Sequence, residues 1–206
     1  MLKVDSSGAE RKVTRETAIL LYSGTEKEYK QAKLRAAKTF GVHFLPSNLK
    51  VALELDRIAE ENEGSSRLER LVRMRREALR VMRILTAYNP LLVGSVWRGA
   101  IHRGSDIDIV VQLDEPAIIL KMLQKNKLKI VRSEWVAVTK KGKKEESFHI
   151  HLESPINEEV EIKITGPAEA CRKIRCEIYG DEVTGLRIQQ LEKLLNENPV
   201  KRFVPS

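Results

Sequence analysis

Several features are scarce in this sequence of 206 residues, and each scarcity excludes a class of protein. Aromatic residues make up only 5% of the chain and charged residues 32%, a balance typical of a soluble helical or α/β protein. No run of eighteen apolar residues occurs, so the sequence predicts no membrane-spanning helix and no membrane partner. The chain shows no signal peptide, and we therefore predict a cytoplasmic location.

Cysteine is nearly absent as well. Cys171 and Cys176 are the two cysteines of the chain, and they lie five positions apart on a predicted helix, where they would not share a face. This spacing predicts neither a disulfide nor a metal-binding pair, and it suits a reducing compartment. No internal repeat or low-complexity tract is evident, so nothing indicates a repeat architecture.

Positive charge is abundant and unevenly distributed. The formal net charge is +8, and residues 1–90 contribute +6 of it, with 18 Lys and Arg against 12 Asp and Glu. One predicted helix carries arginines at spacings of three and four, which places them on one face. These arginines are Arg73, Arg76, Arg80 and Arg83. Such a stripe predicts a nucleic-acid partner, RNA or tRNA in particular, although a solvated surface face is the alternative.

The N-terminal part of the chain is predicted to be helical. Residues 1–12 are polar and are expected to be loose. Thr25 with Glu28 resembles a capping box that opens a helix ending near Phe40, where Gly41 stops it. A second helix is expected to follow Ser47. Residues 63–65 are expected to form a linker, and Ser66 with Glu69 is expected to cap the arginine helix. We further expect two domains, a helical module (1–64) and a second domain (65–206).

From Leu91 onward, strands alternate with helices. The pattern predicts an α+β fold, with a mixed β-sheet of about five strands and helices on one face, preceded by the small helical module. The expected strands are 91–93, the segment around Asp106, 128–139, 147–153 and the segment around Glu161. The expected helices of this part are 115–125, 166–180 and 185–196, and residues 199–206 are expected to form an extended tail.

Two carboxylates alternate with apolar residues in the second of these strands. Asp106 and Asp108 are separated by one residue, so on a strand they point to the same face, about 6.7 Å apart along the chain. Ile107 and Ile109 point the other way, into a core. Two acids held side by side above an apolar sheet are costly unless a cation neutralises them, and oxygen ligands suit Mg²⁺ or Mn²⁺. The alternative is a solvated sheet edge without a metal.

A glycine-serine turn precedes this strand. Gly94 and Ser95 follow a short apolar strand, and a glycine turn lets backbone N–H groups approach an anion closely. Ser95 adds a hydroxyl, while Arg98 and Arg103 offer planar cationic groups suited to phosphate. The residues therefore predict a phosphate-binding turn beside a metal site. For the two arginines the alternative is that they are loop charges that serve only solubility.

The run GSVWRG followed by GSDIDIVV resembles the signature of the nucleotidyltransferase superfamily related to DNA polymerase beta. The arginine and glycine after the Gly-Ser turn make it most similar to the minimal nucleotidyltransferases. This resemblance extends over roughly residues 67–165, and the N-terminal third resembles no family that we identify. It implies a third carboxylate on a later strand.

The third acid is expected in a strand that alternates charged and apolar residues. Glu161 is our candidate, because it stands between two β-branched residues and a base follows two positions later; Glu159 is the fallback if the register is shifted. The family more often has aspartate here, so glutamate is a departure that affects the expected metal geometry. Ser105 and Lys163 complete the residues for which the resemblance implies nucleotide contact.

The resemblance implies a two-metal enzyme. It would transfer a nucleoside monophosphate from an NTP, ATP first, to an acceptor hydroxyl, with the three acids catalytic and metal-binding. The arginine stripe favours an RNA 3′ end as acceptor, with protein hydroxyls and small molecules as other candidates. A noncatalytic RNA-binding or antitoxin-like module is the rival hypothesis, and a purely structural cation site is a third. His149 and His151 are interpreted as half-exposed strand residues. The sequence leaves base choice and oligomeric state open.

Overall fold

The computed structural model describes residues 6–140, 143–166 and 174–205. Its helices are α1 (Ser6–Tyr22), α2 (Tyr29–Thr39), α3 (Asn48–Glu63), α4 (Ser65–Ile84), α5 (Gly94–Arg98), α6 (Pro116–Lys125) and α7 (Ile188–Glu197), with a 3-10 turn at Thr86–Tyr88. Its strands are β1 (Leu91–Val93), β2 (Ile107–Gln112), β3 (Lys129–Lys140), β4 (Lys143–Glu153) and β5 (Glu159–Thr165). None of the helices in these ranges combines the length and apolar character that crossing a membrane requires.

The five strands form one open mixed sheet in the order β1-β2-β5-β4-β3. The central pair β2 and β5 is parallel, and the other three pairs are antiparallel. Parallel pairing requires a crossover, which here consists of α6 and the β3–β4 hairpin. The predicted α+β class with a mixed sheet after an N-terminal helical part is therefore confirmed.

The sheet has one apolar face and one polar face. Alternate residues of β2, β4 and β5, such as Ile109, Ile150 and Ile162, are fully buried in a core shared with α4, α6 and α7. Because side chains alternate along a strand, Asp108 and Glu161 lie on the opposite face. The core thus fixes the sheet register, and the register decides which polar residues meet on the other face.

A second hydrophobic cluster belongs to the N-terminal helices. It is built from buried residues within 13–58 of α1, α2 and α3, separate from the cluster within 71–194. Polar contacts join the two parts: Arg67 of α4 pairs with Asp56 of α3, and Arg202 pairs with the same carboxylate at 2.8 Å. The proposed domain boundary at residue 64 stays a prediction.

The N-terminal helices test several local expectations. The expectation of a loose segment over residues 1–12 was wrong for its described part, because α1 begins at Ser6. The Thr25 capping box was also wrong: α2 starts at Tyr29, and the Thr25 hydroxyl bonds the Ser23 hydroxyl at 2.8 Å. The helix expected after Ser47 is confirmed, since α3 begins at Asn48, and the Ser47 hydroxyl caps it by accepting from the Lys50 N–H at 3.2 Å.

Three further expectations fail. Ser66 does not cap α4, because the helix already begins at Ser65 and the Ser66 hydroxyl donates to the Glu63 carbonyl at 2.6 Å. The predicted linker 63–65 therefore shrinks to Gly64, whose φ of +52° turns the chain between two helices. The helix expected over 166–180 is absent from its described part, where Arg175 instead forms a bridge with Glu182; residues 167–173, with Cys171, lie outside the described residues.

Candidate metal and nucleotide site

Three carboxylates meet on the polar face of the sheet. Asp106 immediately precedes β2, Asp108 lies on it, and Glu161 lies directly across from Asp108 on the parallel neighbour β5. One potential ligand oxygen from each of the three residues lies within 4.8 Å of the other two. Glu159 is not part of this group; its side chain is 49% exposed and its carboxylate contacts His151 at 2.6 Å. The structure thus brings Glu161, rather than Glu159, to the aspartate pair.

The electrostatics of this group are unfavourable without a cation. Burial raises the pKa of Asp108 well above its ordinary value, and the negative charges of Asp106 and Glu161 raise it further, while Lys163 opposes them. The pKa of Asp106 is also raised, first by burial and then by the charge of Glu161. Clustered carboxylates that resist ionisation are expected where a divalent ion is normally bound, because the ion supplies the missing positive charge.

The glycine-serine turn lies directly against these acids. Gly94 follows β1 with a φ of +70°, and a Cβ added to it would lie 1.9 Å from Oδ2 of Asp108. Ser95, the next residue, has a buried hydroxyl oxygen without a hydrogen-bond partner among the described residues. A buried hydroxyl is rarely left unpaired, so this atom indicates a polar ligand at the turn. The carboxylate donor set, the tight glycine and the unpaired hydroxyl together fit a metal-bound nucleotide.

Arg98 has partners that the sequence did not predict. Its guanidinium is 4% exposed and forms a two-pronged ion pair with Asp181, with N–O distances of 2.7 and 3.1 Å. It also donates to the Phe203 carbonyl at 2.8 Å and lies between the rings of Trp97 and Tyr179, at 4.4 and 4.6 Å. These contacts fasten the C-terminal segment to the turn, and phosphate binding by Arg98 stays a prediction.

The other two expected nucleotide residues lie at different depths. Ser105 is buried, and its hydroxyl accepts a hydrogen bond from the His102 N–H at 2.9 Å, which stabilises the loop before Asp106. Lys163 is on β5, on the same face as Glu161, and its charge acts on Asp108. Of the two side chains, Lys163 is the one that brings a positive charge to the acids.

A cavity of about 800 Å³ opens beside the turn, and Asp106 and Asp108 are among the residues that line it. Part of its wall comes from Gly24 and Lys27 in the loop before α2 and from Tyr29 at the start of α2, and part comes from Tyr179 near the C-terminus. The positive charge of Lys27 lowers the pKa of Asp106, against the larger effect of burial. The sequence analysis missed Lys27, since nothing in its local sequence distinguishes it from other surface lysines.

His149 and His151 were interpreted as half-exposed strand residues, and the structure gives them more specific contacts. Nδ1 of His149 contacts Oε1 of Glu161, and Nε2 of the same ring lies 2.7 Å from the Ser147 hydroxyl. Nδ1 of His151 lies 2.6 Å from Glu159. The sequence pattern that could have predicted these contacts is the alternation of polar and apolar residues in two consecutive strands. When the strands pair, it places histidines and acids on the same face.

The arginine helix α4 divides into buried and exposed residues. Arg75 is fully buried and donates to four backbone carbonyls, including those of Val96 and Lys201. Arg67 and Arg70 are also largely buried and bind the loop that precedes Asp106. These three arginines therefore stabilise the site structurally.

The four arginines of the predicted stripe are all exposed. Arg80 pairs with Glu77 at 2.7 Å, and Arg83 pairs with Glu192 at 2.8 Å. Arg73 and Arg76 have no ion pair with the residues that the structure describes. The stripe is thus accessible, and two of its four arginines are paired with glutamates. Its binding of nucleic acid stays a prediction.

Comparison with known proteins gives a family match and likenesses to several solved structures. No curated protein matches the chain. A structure of a GLD-2/RNP-8 complex aligns with 60% of this chain and 44% of its own, at 14% identity and a TM-score of 0.36. A structure of a cytoplasmic RNA terminal U-transferase aligns with 57% of this chain and 34% of its own, at 18% identity and a TM-score of 0.28.

This chain spans less than half the length of either solved protein. The family match is more direct, because it covers the turn, the aspartate pair and the third acid together. Residues 88–165 match the family model described as nucleotidyltransferase domain, which confirms the resemblance found in the sequence for that part of the chain.

Proposed function

We propose that this protein is a metal-dependent nucleotidyltransferase that transfers a nucleoside monophosphate from an NTP to an acceptor hydroxyl and releases pyrophosphate. One observation carries the proposal: Asp106, Asp108 and Glu161 gather potential ligand oxygens within 4.8 Å, beside a glycine turn with an unpaired buried hydroxyl. The match of residues 88–165 to the nucleotidyltransferase domain supports it independently.

In this proposal the three acids hold two divalent cations, Mg²⁺ or Mn²⁺. When bound, such cations would neutralise the phosphates and lower the proton affinity of the attacking hydroxyl. Gly94 allows the backbone to approach the β- and γ-phosphates, and the Ser95 hydroxyl donates to one of their oxygens. Lys163 adds positive charge on the same face. Because these groups are held in place before the reaction, their contribution is mainly electrostatic positioning.

The nucleotide enters through the cavity beside the turn. Its volume of about 800 Å³ lies within the range of small-molecule sites and is large enough for a nucleoside triphosphate. The donor that we propose first is ATP. The cytoplasm is the proposed location, because NTPs and reduced cysteines occur together there.

An RNA 3′ end, such as that of a tRNA, is the acceptor that we propose first. The support is the exposed basic face of α4, where Arg73 and Arg76 have no ion pair within the described residues and Arg80 and Arg83 are accessible. Guanidinium groups at this spacing suit a phosphate backbone. Protein hydroxyls and small molecules come next, since the site itself does not select the acceptor.

The direct test is incubation with each labelled NTP, Mg²⁺ or Mn²⁺, and total cellular RNA or protein. We expect label in one acceptor class, and at least about a hundredfold slower labelling by Asp106→Ala. The matched control is Asp114→Ala, which removes an exposed aspartate at the end of β2. Equal labelling by the wild type and Asp106→Ala would reject the proposal.

The rival hypothesis is a noncatalytic RNA-binding or antitoxin-like module that retains the fold. The clustered acids argue against it, because a binder of polyanions gains nothing from buried negative charge. Calorimetry distinguishes the two: NTP binding that requires Mg²⁺ favours the enzyme, whereas RNA binding without nucleotide affinity favours the module. Cation binding without any nucleotide effect would support a purely structural metal site.

A further inference from the structure

Glu161 is held by a histidine that is not its direct strand neighbour. Across the antiparallel pair β4 and β5, Glu161 lies opposite His151, yet its carboxylate oxygen Oε1 contacts Nδ1 of His149, while Nε2 of His151 is 4.0 Å away. Glu159 leans in the same direction, toward His151. Diagonal contacts of this kind are within reach of long side chains on one sheet face.

The hydrogen bonds of His149 determine where its proton lies. A carboxylate can only accept, so Nδ1 must carry the hydrogen that is donated to Glu161. In the neutral ring Nε2 is then an acceptor, and it lies 2.7 Å from the Ser147 hydroxyl, which donates to it. Ser147 is 4% exposed, so water has little access to replace this bond. The result is an ordered chain from Ser147 through His149 to Glu161.

These hydrogen bonds restrict the side chain of Glu161. Glutamate has one more rotatable bond than the aspartate usual at this position, so its carboxylate loses more side-chain freedom when it is fixed. A donor on Oε1 restricts that freedom before any ion arrives, and the carboxylate keeps a second oxygen, Oε2. Side chains that hydrogen-bond to a metal-binding residue, without contacting the metal, commonly set the orientation of that residue and the metal affinity.

We propose that Ser147 and His149 form a positioning pair that orients Glu161 toward the two aspartates, and that His149 acts as a donor in its Nδ1–H form. The inference rests on the proposed metal site. It gives a role to two residues outside the group of three acids. His151 has no such role, because its hydrogen bond goes to Glu159, outside the group of three acids, and its Nε2 lies 4.0 Å from Glu161, too far for a hydrogen bond.

The first test is the affinity for Mn²⁺, measured by electron paramagnetic resonance in the absence of substrate. We expect His149→Ala to weaken Mn²⁺ binding about 10- to 100-fold. His149→Asn should recover affinity to within a few-fold of the wild type, because its side-chain amide offers an N–H near the position of Nδ1. The matched control His151→Ala removes the neighbouring histidine of the same strand and face, and should leave the affinity unchanged.

The second test needs no metal. Nitrogen-15 spectra of the histidine rings in the metal-free protein should show the Nδ1–H form for His149, and Ser147→Ala should alter that signal. An Nε2–H form would overturn the proposal, and so would equal loss of Mn²⁺ affinity in His149→Ala and His151→Ala, or no recovery in His149→Asn.

These outcomes separate the inference from the proposed function. If the wild type binds no Mn²⁺ at the three acids, the proposed function fails and the positioning role fails with it. If the wild type binds Mn²⁺ and transfers nucleotide but His149→Ala does so equally well, only the positioning role is overturned.

Discussion

Replacing Asp108 by asparagine should stabilise the metal-free protein. Burial, and then the charges of Asp106 and Glu161, raise the pKa of Asp108 well above its ordinary value, so the ionised side chain destabilises the folded state. Each pKa unit of such a shift corresponds to about 1.4 kcal/mol. We therefore expect Asp108→Asn to raise the free energy of unfolding at pH 7, and Tm with it, by about 2–4 °C for each kcal/mol gained in a chain of this size.

The pH dependence of this gain has a defined sign. Between the unfolded and folded pKa values of Asp108, the folded state binds the proton that the unfolded chain has lost, so stability of the metal-free wild type falls as pH rises. Asp108→Asn lacks this titration. Its advantage should therefore be absent below the ordinary aspartate pKa, grow as pH rises, and be constant above the folded pKa.

Thermal unfolding over a range of pH, in the presence of a chelator, measures this effect. The matched control Asp114→Asn changes an exposed aspartate and should alter Tm little at any pH. Mn²⁺ should act in the opposite direction, since saturation at 100 times Kd stabilises the wild type by about 2.7 kcal/mol but Asp108→Asn far less. A metal-free Asp108→Asn that is less stable than the wild type at pH 7 would refute the electrostatic reasoning.

Three other substitutions test separate parts of the site. Gly94→Ala places a methyl group 1.9 Å from the Asp108 carboxylate, so we expect at least about a hundredfold lower transfer rate in the labelling assay. Arg98→Ala leaves Asp181 without its partner, and denaturant unfolding should show a loss of about 2 kcal/mol. Lys27→Ala should raise KM for the NTP several-fold with little change in stability, because Lys27 lines the cavity at the surface.

The predictions for Arg98 and Lys27 each have a control variant. Arg98→Lys keeps the charge but loses the two-pronged pair and the stacking, so it should recover only part of the lost stability. Lys30→Ala removes an exposed lysine three positions from Lys27 and should leave KM unchanged. An equal effect of Lys27→Ala and Lys30→Ala would mean that only net charge matters, and an active Gly94→Ala would contradict the tight turn.

Local patterns predicted the sheet and the placement of its acids well. The alternation around Asp106 and around Glu161 fixes which residues enter the core, and burial of one face then determines the faces of the polar residues. The same reasoning favoured Glu161 over Glu159, and the structure brings Glu161 to the aspartates. Gly94 was predictable because only glycine suits a left-handed turn beside a carboxylate.

Long-range pairings were not predictable from local sequence. Arg98 suggested a phosphate ligand, but its partner Asp181 is 83 positions away and is brought to it by tertiary packing. Arg75 belonged to an apparently basic helix, yet it is buried and binds the carbonyls of Pro199 and Lys201. Residue type gives charge and hydrogen-bond capacity, whereas the choice of partner depends on which chain segments the core brings together.

The helix starts show a related limit. Thr25 and Ser66 are good capping residues by type, but each hydroxyl bonds a neighbouring group instead, and the helices begin where packing of the buried residues sets them. Serine and threonine hydroxyls can bond several neighbouring groups, so residue type alone does not determine which of them caps a helix.

The most direct test is a crystal structure with Mn²⁺ and a non-hydrolysable NTP, in which anomalous scattering locates the metal. We predict anomalous density bounded by the carboxylates of Asp106, Asp108 and Glu161, with the phosphates against Gly94 and Ser95. Mn²⁺ bound elsewhere, or nucleotide bound without metal between these three residues, would contradict the account.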